Sequence, residues 1–391
     1  MSYLHNDRMR LPGWFAERAA PAPQETELRV STLELFFDLV FVFTVTQLTG
    51  LLVDGLQEGR PVEGALQVLL VFGVIWWMYA GYAWLTNAVP PTRPARRVLI
   101  LLGMAGFMIV ALSIPAVFDG DGVAFAIGYL LLVVVHAGLY LQGTSAITRV
   151  LPFNLGGTAL VGAAALVSAP YNYLLWAAAV ILLWGSPYYI GQKGFNLRAG
   201  HIVERHGLLV IVVLGESIVA LGIGAKGLHV GLALGVTAVL GLALAACLWW
   251  LYFGGDDETR AEHALEGAEP VRRTRLILGA YFYAHIPMLL GVVAVSAGVK
   301  KAIGHPTDPL KLSAALALAV GFALFVAGGA WFRRVLGMSG NGPRVWGALV
   351  ALVTVAPGLW SALAQLTALT ALAIVVIVVE RRSNAAVAPA H

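Results

Sequence analysis

Charge is scarce in this sequence. Only 12% of its 391 residues are Asp, Glu, Lys or Arg, about half of what a soluble domain carries. Cysteine is almost absent too. The single Cys247 lies within an apolar run, which excludes intrachain disulfides and cysteine-ligated metal. Long polar stretches are missing as well. The longest polar connection, GDDETRAEHALEGAEPVRRT, has 20 residues, too few for a soluble domain. No apolar core precedes Leu33, whereas Arg8, Arg10, Arg18 and Arg29 do, so residues 1–32 read as a cytoplasmic tail, not a signal peptide. The net charge of +4 calls for no nucleic-acid partner.

What is abundant is oil. Hydrophobic residues make up 59% of the chain, and mean hydropathy is +0.81. Apolar runs recur from residue 33 to residue 380, most of them long enough to cross a hydrocarbon core about 30 Å thick. Twelve spans are predicted, at 33–53, 66–86, 97–117, 123–142, 155–169, 172–190, 206–224, 229–253, 275–298, 312–332, 345–357 and 362–380, the fifth and eleventh being short. On this map the side of the N-terminus holds twenty Lys and Arg and the other side five: Arg60, Lys226, Lys300, Lys301 and Lys311. That bias places both termini in the cytoplasm. The expected fold is an all-α polytopic membrane protein whose principal partner is the lipid bilayer; a homo-oligomer is compatible with it.

The two halves of the chain are alike. LELFFDLVFVFTVTQL (33–48) lies on VERHGLLVIVVLGESI (203–218) without gaps, pairing Glu34 with Glu204 and Thr46-Gln47 with Glu216-Ser217. WWMYAGYAW (76–84) matches WWLYFGGDD (249–257), Arg96-Arg97 matches Arg272-Arg273, and Ala169-Pro170 matches Ala356-Pro357. The organisation expected is a first six-helix repeat over 33–200, a second over 201–380, and a cytoplasmic tail at 381–391. Six is even, so the repeats are parallel, an arrangement that places a site between the halves near the bilayer midplane.

These same stretches carry a family resemblance. ELFFDLVFVF (34–43) with Gln47, and HIVERHGLLVIVVLGESIVALG (201–222), resemble the two signature helices of the bacterial low temperature requirement protein A family. WLTN (84–87), GMAGF (103–107) followed by Ile114-Pro115, and YFYAHIP (281–287) resemble further motifs of that family, so the likeness covers nearly the whole chain. It implies a multi-pass protein of many helices in the bacterial inner membrane. It implies little chemistry, since the family is named for a growth phenotype. Members of the family often carry a basic residue in the fourth span and an acidic one in the sixth. Val134, His136 and Trp184 occupy that neighbourhood here, so such a pair is not expected.

A charge at a helix centre costs about 2.5–3.5 kcal/mol on insertion scales, so polar residues within the spans need partners. Glu216, mid-span with Ser217 beside it, reads as a carboxyl group that binds a cation or exchanges a proton, or as interhelical glue. Gly215 and Gly222 would leave room for close backbone approach. Glu34 and Asp38 are i and i+4 on one helix face. They repel, and need a cation from Arg96, Arg97, Arg205 or a bound ion. Thr49 shares their stripe, whereas Gln47 lies on the opposite side. His201, Glu204 and Arg205 form a polar cluster at the start of the seventh span, read as an ion-pair brace between the two repeat-opening helices. Arg205 and Glu216 share a face but stand about 16 Å apart along the helix. His285 precedes Pro287, which leaves a backbone carbonyl unbonded that a polar neighbour can satisfy. His136 receives the same reading. The pairs Trp76-Trp77 and Trp249-Trp250 read as interface anchors.

The expected substrate or ion-binding residues are Asp38, Gln47, Glu216, Ser217 and His285, and the expected cytoplasmic-side network is Glu34, His201, Glu204 and Arg205. No catalytic residue, metal ligand or cofactor is assigned. The function expected is a transporter or channel for a small solute or ion. FFDLVF also has a short likeness to the Phe-Ser-Asp opening helix of two-repeat potassium channels, without the serine. The alternatives are a membrane-embedded enzyme acting on a lipid or apolar substrate through Asp38, His201, Glu204 and His206 at one interface, and a structural or regulatory protein without turnover.

Overall fold

The structure is a computed structural model that describes residues 29–387 except 192, 193 and 196, with side chains to 383. The tail expected at 1–32 falls largely outside these residues, whereas residues 381–387 of the tail expected at 381–391 are described and continue α14. The described chain is helical throughout. Its helices are α1 (Thr32–Gln57), α2 (Pro61–Ala88), α3 (Pro94–Ser113), α4 (Gly122–Tyr140), α5 (Ile147–Ala164), α6 (Tyr171–Ile190) and α7 (Ala199–Gly224). There follow α8 (Leu232–Phe253), α9 (Asp257–Glu266), α10 (Pro270–Ile277), α11 (His285–Ala302), α12 (Leu312–Val335), α13 (Gly342–Ala351) and α14 (Ala362–Val387).

Local chemistry sets the helix starts. Ser31 and Glu34 form a capping box: the Ser31 hydroxyl accepts the Glu34 N–H, and the Glu34 carboxylate accepts the Ser31 N–H at 2.8 Å. Prolines open α2, α3, α10 and α13, where a missing N–H costs nothing.

Ten of the described helical stretches are long and apolar enough to cross a membrane. The fifth and eleventh predicted spans are helical but are not among them. α5 begins eight residues before the predicted 155 and contains Pro152 and Asn154. α13 breaks into a 3₁₀ turn at Leu352–Thr354 and a last helical turn at Val355–Gly358. The polar connection after α8 is not a loop. It folds as α9, whose Ala261 and Leu265 are fully buried while acids occupy its first turn.

Burial sorts the helices. In α2, 78% of the most apolar window lies inside the bundle, against 28% in α6. A helix apolar on all sides needs apolar surroundings, so α2 is central and α6 presents residues such as Ile181 to lipid. Within residues 32–190, α1 packs on α2 and α3, α2 on α4 and α6, α3 on α4, α4 on α5, and α5 on α6. Within residues 199–387, α7 packs on α8 and α11, α8 on α12 and α14, α11 on α12, α12 on α13, and α13 on α14. α1 also touches α7 and α11, and α2 touches α7.

Glycine allows the tightest crossings. A Cβ on Gly291 of α11 would stand 2.6 Å from the Gly321 carbonyl oxygen of α12, and one on Gly321 would stand 2.8 Å from that of Gly291. Gly106 of α3 and Gly128 of α4 face each other likewise, at 3.0 Å each way.

Between α10 and α11 the helix widens to π geometry over Leu278–Tyr283. Pro287 has no N–H to offer the Phe282 carbonyl in that register. The Trp76 indole of α2 supplies the bond at 3.1 Å. Trp76 is therefore a buried cross-bundle donor and not an interface anchor. Trp77 likewise donates to Asn154 Oδ1 at 2.7 Å. Trp249 and Trp250 are partly exposed, as anchors are, and Arg381 lies over the Trp250 ring at 4.6 Å.

Candidate functional site

The openings of α1 and α7 lie side by side, and a buried arginine joins them. Arg205 Nη1 donates to Glu34 Oε1 at 2.6 Å and to the Thr86 hydroxyl at 3.2 Å, and Nη2 donates to Asp38 Oδ1 at 3.0 Å. The Tyr79 hydroxyl donates to the same Asp38 oxygen at 2.9 Å. The guanidinium also lies 5.7 Å from the Phe37 ring centre and 5.8 Å from that of Tyr79. His201 contributes Nε2 to Glu34 Oε1 at 3.0 Å, and Asn87 Nδ2 stands 3.2 Å from its Nδ1. An amide nitrogen only donates, so Nδ1 accepts and Nε2 carries the proton given to Glu34. Asn87 further binds both the carbonyl and the N–H of Arg198. All these acids and bases are buried to within 2% of full exclusion.

The cation near Asp38 is thus Arg205. Arg96 and Arg97 are engaged at the α2–α3 turn, with Gln142, Pro90 and Pro91. Glu204 does not join the network. It points outward, where its carboxylate accepts the Val30 N–H at 3.0 Å, because it sits one residue, about 100°, away from the inward face of Arg205. Gln47 is half-buried on another face of α1.

Glu216 stands apart from the clamp. α7 begins at Ala199, seven residues before the predicted 206, so Glu216 lies nearer the far end of its helix, level with the middle of α1. The Thr46 hydroxyl donates to Glu216 Oε2 at 2.5 Å, and the buried Thr49 hydroxyl lies close by without a partner of its own. Lys300 acts on Glu216 only through space, beyond ion-pair reach. Ser217 turns to α11 and shares a hydrogen bond with Ser296 at 3.0 Å. Gly215 and Gly222 face open space, so no close backbone approach depends on them.

His285 is fully engaged. Its Nδ1 is 2.8 Å from the Ala280 carbonyl and its Nε2 is 3.0 Å from the Tyr252 hydroxyl. The carbonyl it serves belongs to the π segment, whereas the one released by Pro287 goes to Trp76. His206 packs beside it, ring centres 5.2 Å apart, with Nδ1 at the Ile202 carbonyl.

A second buried charge cluster was not foreseen. Arg344 grips Glu380 through Nε and Nη2, both at 3.0 Å, and reaches Asp257 Oδ2 at 3.3 Å. Arg333 pairs with the same Glu380 and, at 3.3 Å, with Asp257. In the sequence these arginines serve only as markers of membrane sidedness. The available signal was Glu380, an acid directly ending an apolar run. Among the described residues no three His, Cys, Asp or Glu side chains converge as metal ligands would.

An all-helical bundle with an apolar exterior and charges locked between its helices defines a multi-pass membrane protein. The chain belongs to the family described as Bacterial low temperature requirement A protein (LtrA), which it matches over residues 29–380. It is also similar to the uncharacterized protein RA0937 of Rhizobium meliloti (strain 1021), with 27% identity over 332 residues, 79% of this chain and 78% of that protein. The clamp is built from three of the stretches that carry the family resemblance, 34–43, 84–87 and 201–222.

Proposed function

We propose that this protein is a transporter or channel for a small solute or ion in the bacterial inner membrane, made of two parallel six-helix halves with both termini cytoplasmic. The observation that carries the reading is the isolation of Glu216. Of the five buried carboxylates among the described residues, Glu34, Asp38, Asp257 and Glu380 are paired with arginine; Glu216 meets only hydroxyls. An unpaired acid inside a membrane bundle is costly, and cargo or a coupling proton would offset that cost. Its place supports the reading too, since the α1–α7 seam joins the two halves, where parallel repeats put their sites. The halves themselves are supported by their matching packing pairs and by the Gly106–Gly128 and Gly291–Gly321 crossings.

Glu216 is enclosed in this conformation, so transport requires α1 and α7 to part. The paired clamp at Arg205 would then be the fixed end of the seam. The enzyme reading has less support. Asp38 and His201 are committed to the clamp, His206 is buried in an aromatic cluster, and Glu204 is exposed without them.

Proteoliposomes screened across ions and small metabolites test the proposal. A wild-type flux that Glu216→Gln abolishes, with expression and melting temperature retained, is the expected result. A Glu216→Gln protein that no longer folds would assign the carboxylate to structure instead.

A further inference from the structure

The hydroxyls around Glu216 restrict what that carboxylate can take up. Glu216 is 1% exposed, and the Thr49 hydroxyl beside it is wholly enclosed and, among the described residues, unpartnered. The Thr46 hydroxyl touches Glu216 Oε2 directly, which closes the gap that a metal ion would need between the two oxygens. Thr46 has a second acceptor, the Val42 carbonyl one turn back at 3.3 Å, but only one hydroxyl hydrogen. With Glu216 ionised, that hydrogen goes to the carboxylate, and Thr49 is placed to give another. With Glu216 protonated, the carboxyl O–H donates to Thr46, whose own hydrogen turns to Val42. Both states keep their bonds and no heavy atom moves. A tie between helices needs one of these arrangements; a group that gains and loses a proton needs both.

No neighbouring charge fixes one state. Among the helices packed on α7, α11 brings Lys300, which acts on Glu216 only through space, and Lys301, which lies among Lys300, Lys311 and Asp54. α9 brings Glu258 and Glu262, which meet α7 at Gly207 and Gly200, towards its other end. The acids Glu34 and Asp38 of α1 and Tyr79 of α2 are committed to the Arg205 clamp. α8 brings Tyr252, bonded to His285 of α11, and the thiol of Cys247, a group neutral at physiological pH. Resting on the transport reading above, we infer that Glu216 exchanges a proton, so that the ion moved or coupled at the α1–α7 seam is H+, with Thr46 as the positioning residue that serves both states. The proton arrives from a hydronium ion when the helices part, bonds to Oε2 and leaves to water, and no other reactant is needed.

Infrared difference spectra against pH, taken on the full chain in nanodiscs, test this apart from flux. The wild type should show a protonated-carboxyl C=O band that fades as pH rises and shifts in heavy water, and Glu216→Gln should lack that band. Thr46→Val removes a charge-assisted bond to the ionised form. It should raise proton affinity about tenfold, a midpoint about one pH unit higher, and Thr46→Ser should restore the wild-type midpoint. If Glu216→Gln does not fold, the shift in Thr46→Val identifies the band by itself. Sodium or potassium ions added at fixed pH should leave it unchanged. A band that either ion erases would put a metal ion in the seam and overturn the inference. So would a band missing at every pH, or one constant across the range, which would make Glu216 a fixed tie. A titrating band without flux in any assay would keep the proton site and remove the transporter. Flux lost in Glu216→Gln without a titrating band would do the reverse.

Discussion

Arg205 is one cation facing two carboxylates at full burial, and that ratio sets what mutation does. Removing it alone would strand Glu34 and Asp38 beside each other without water. Breaking a buried ion pair in this way costs about 3–5 kcal/mol, whereas replacing a whole buried network with uncharged groups is often neutral. Arg205→Met should therefore lower the melting temperature sharply or prevent folding. Adding Glu34→Gln and Asp38→Asn to it should recover most of the loss. Thermal unfolding in detergent reads both, and a combined variant no better than Arg205→Met would mean that the clamp holds by shape rather than charge. Part of this was legible in the chain. The i, i+4 spacing of Glu34 and Asp38 puts both on one face and demands a cation. Which cation was not legible, because three arginines stood near enough by register and only packing separates them. The Arg333–Arg344–Glu380–Asp257 cluster was hidden for a related reason: each member lies on a different helix, and no local spacing links them.

At the scale of helices, the long apolar runs declared themselves, because about 20 apolar residues have few other uses. The short ones did not. α5 carries Pro152 and Asn154, and α13 dissolves into a 3₁₀ turn, so hydropathy alone misplaced their ends. α9 was concealed by its charges, although Ala261 and Leu265 repeat at the helical interval. The role of the small residues was likewise mixed. Gly215 looked like a contact point and faces open space, while Gly321, unremarked in the sequence, has the backbone of α11 against it. Gly321→Leu must push α11 from α12, and such overpacking costs about 1–3 kcal/mol or more. Gly215→Ala should be neutral or slightly stabilising, since alanine is the better helix former by about 1 kcal/mol. The two melting temperatures compared in one detergent check this. Equal values would mean that the crossing yields without strain.

For the whole molecule the decisive question is whether the two halves move. Among the described residues they meet chiefly through α1–α7, α1–α11 and α2–α7, and through hydrogen bonds from the Trp76 indole to the π segment and from the Tyr283 hydroxyl to the Trp184 carbonyl. The clamp pins one end of the α1–α7 contact with charge, while the stretch around Thr46 and Glu216 is held by a hydroxyl. Parting at that stretch breaks one hydrogen bond, worth about 0.5–1.5 kcal/mol net, whereas parting at the clamp breaks buried ion pairs. Opening should therefore begin near Thr46 and leave Arg205 in place. A Cys247→Ser background removes the native thiol and lets single cysteines report. Thr46→Cys should react with a membrane-impermeant thiol reagent several-fold faster than Val180→Cys, which is likewise half-buried but packs against Gly73 of α2, away from the seam. Equally slow reaction at both positions would mean that no water reaches the seam. Glu216 would then be a tie between helices, and the bundle would conduct nothing along this route.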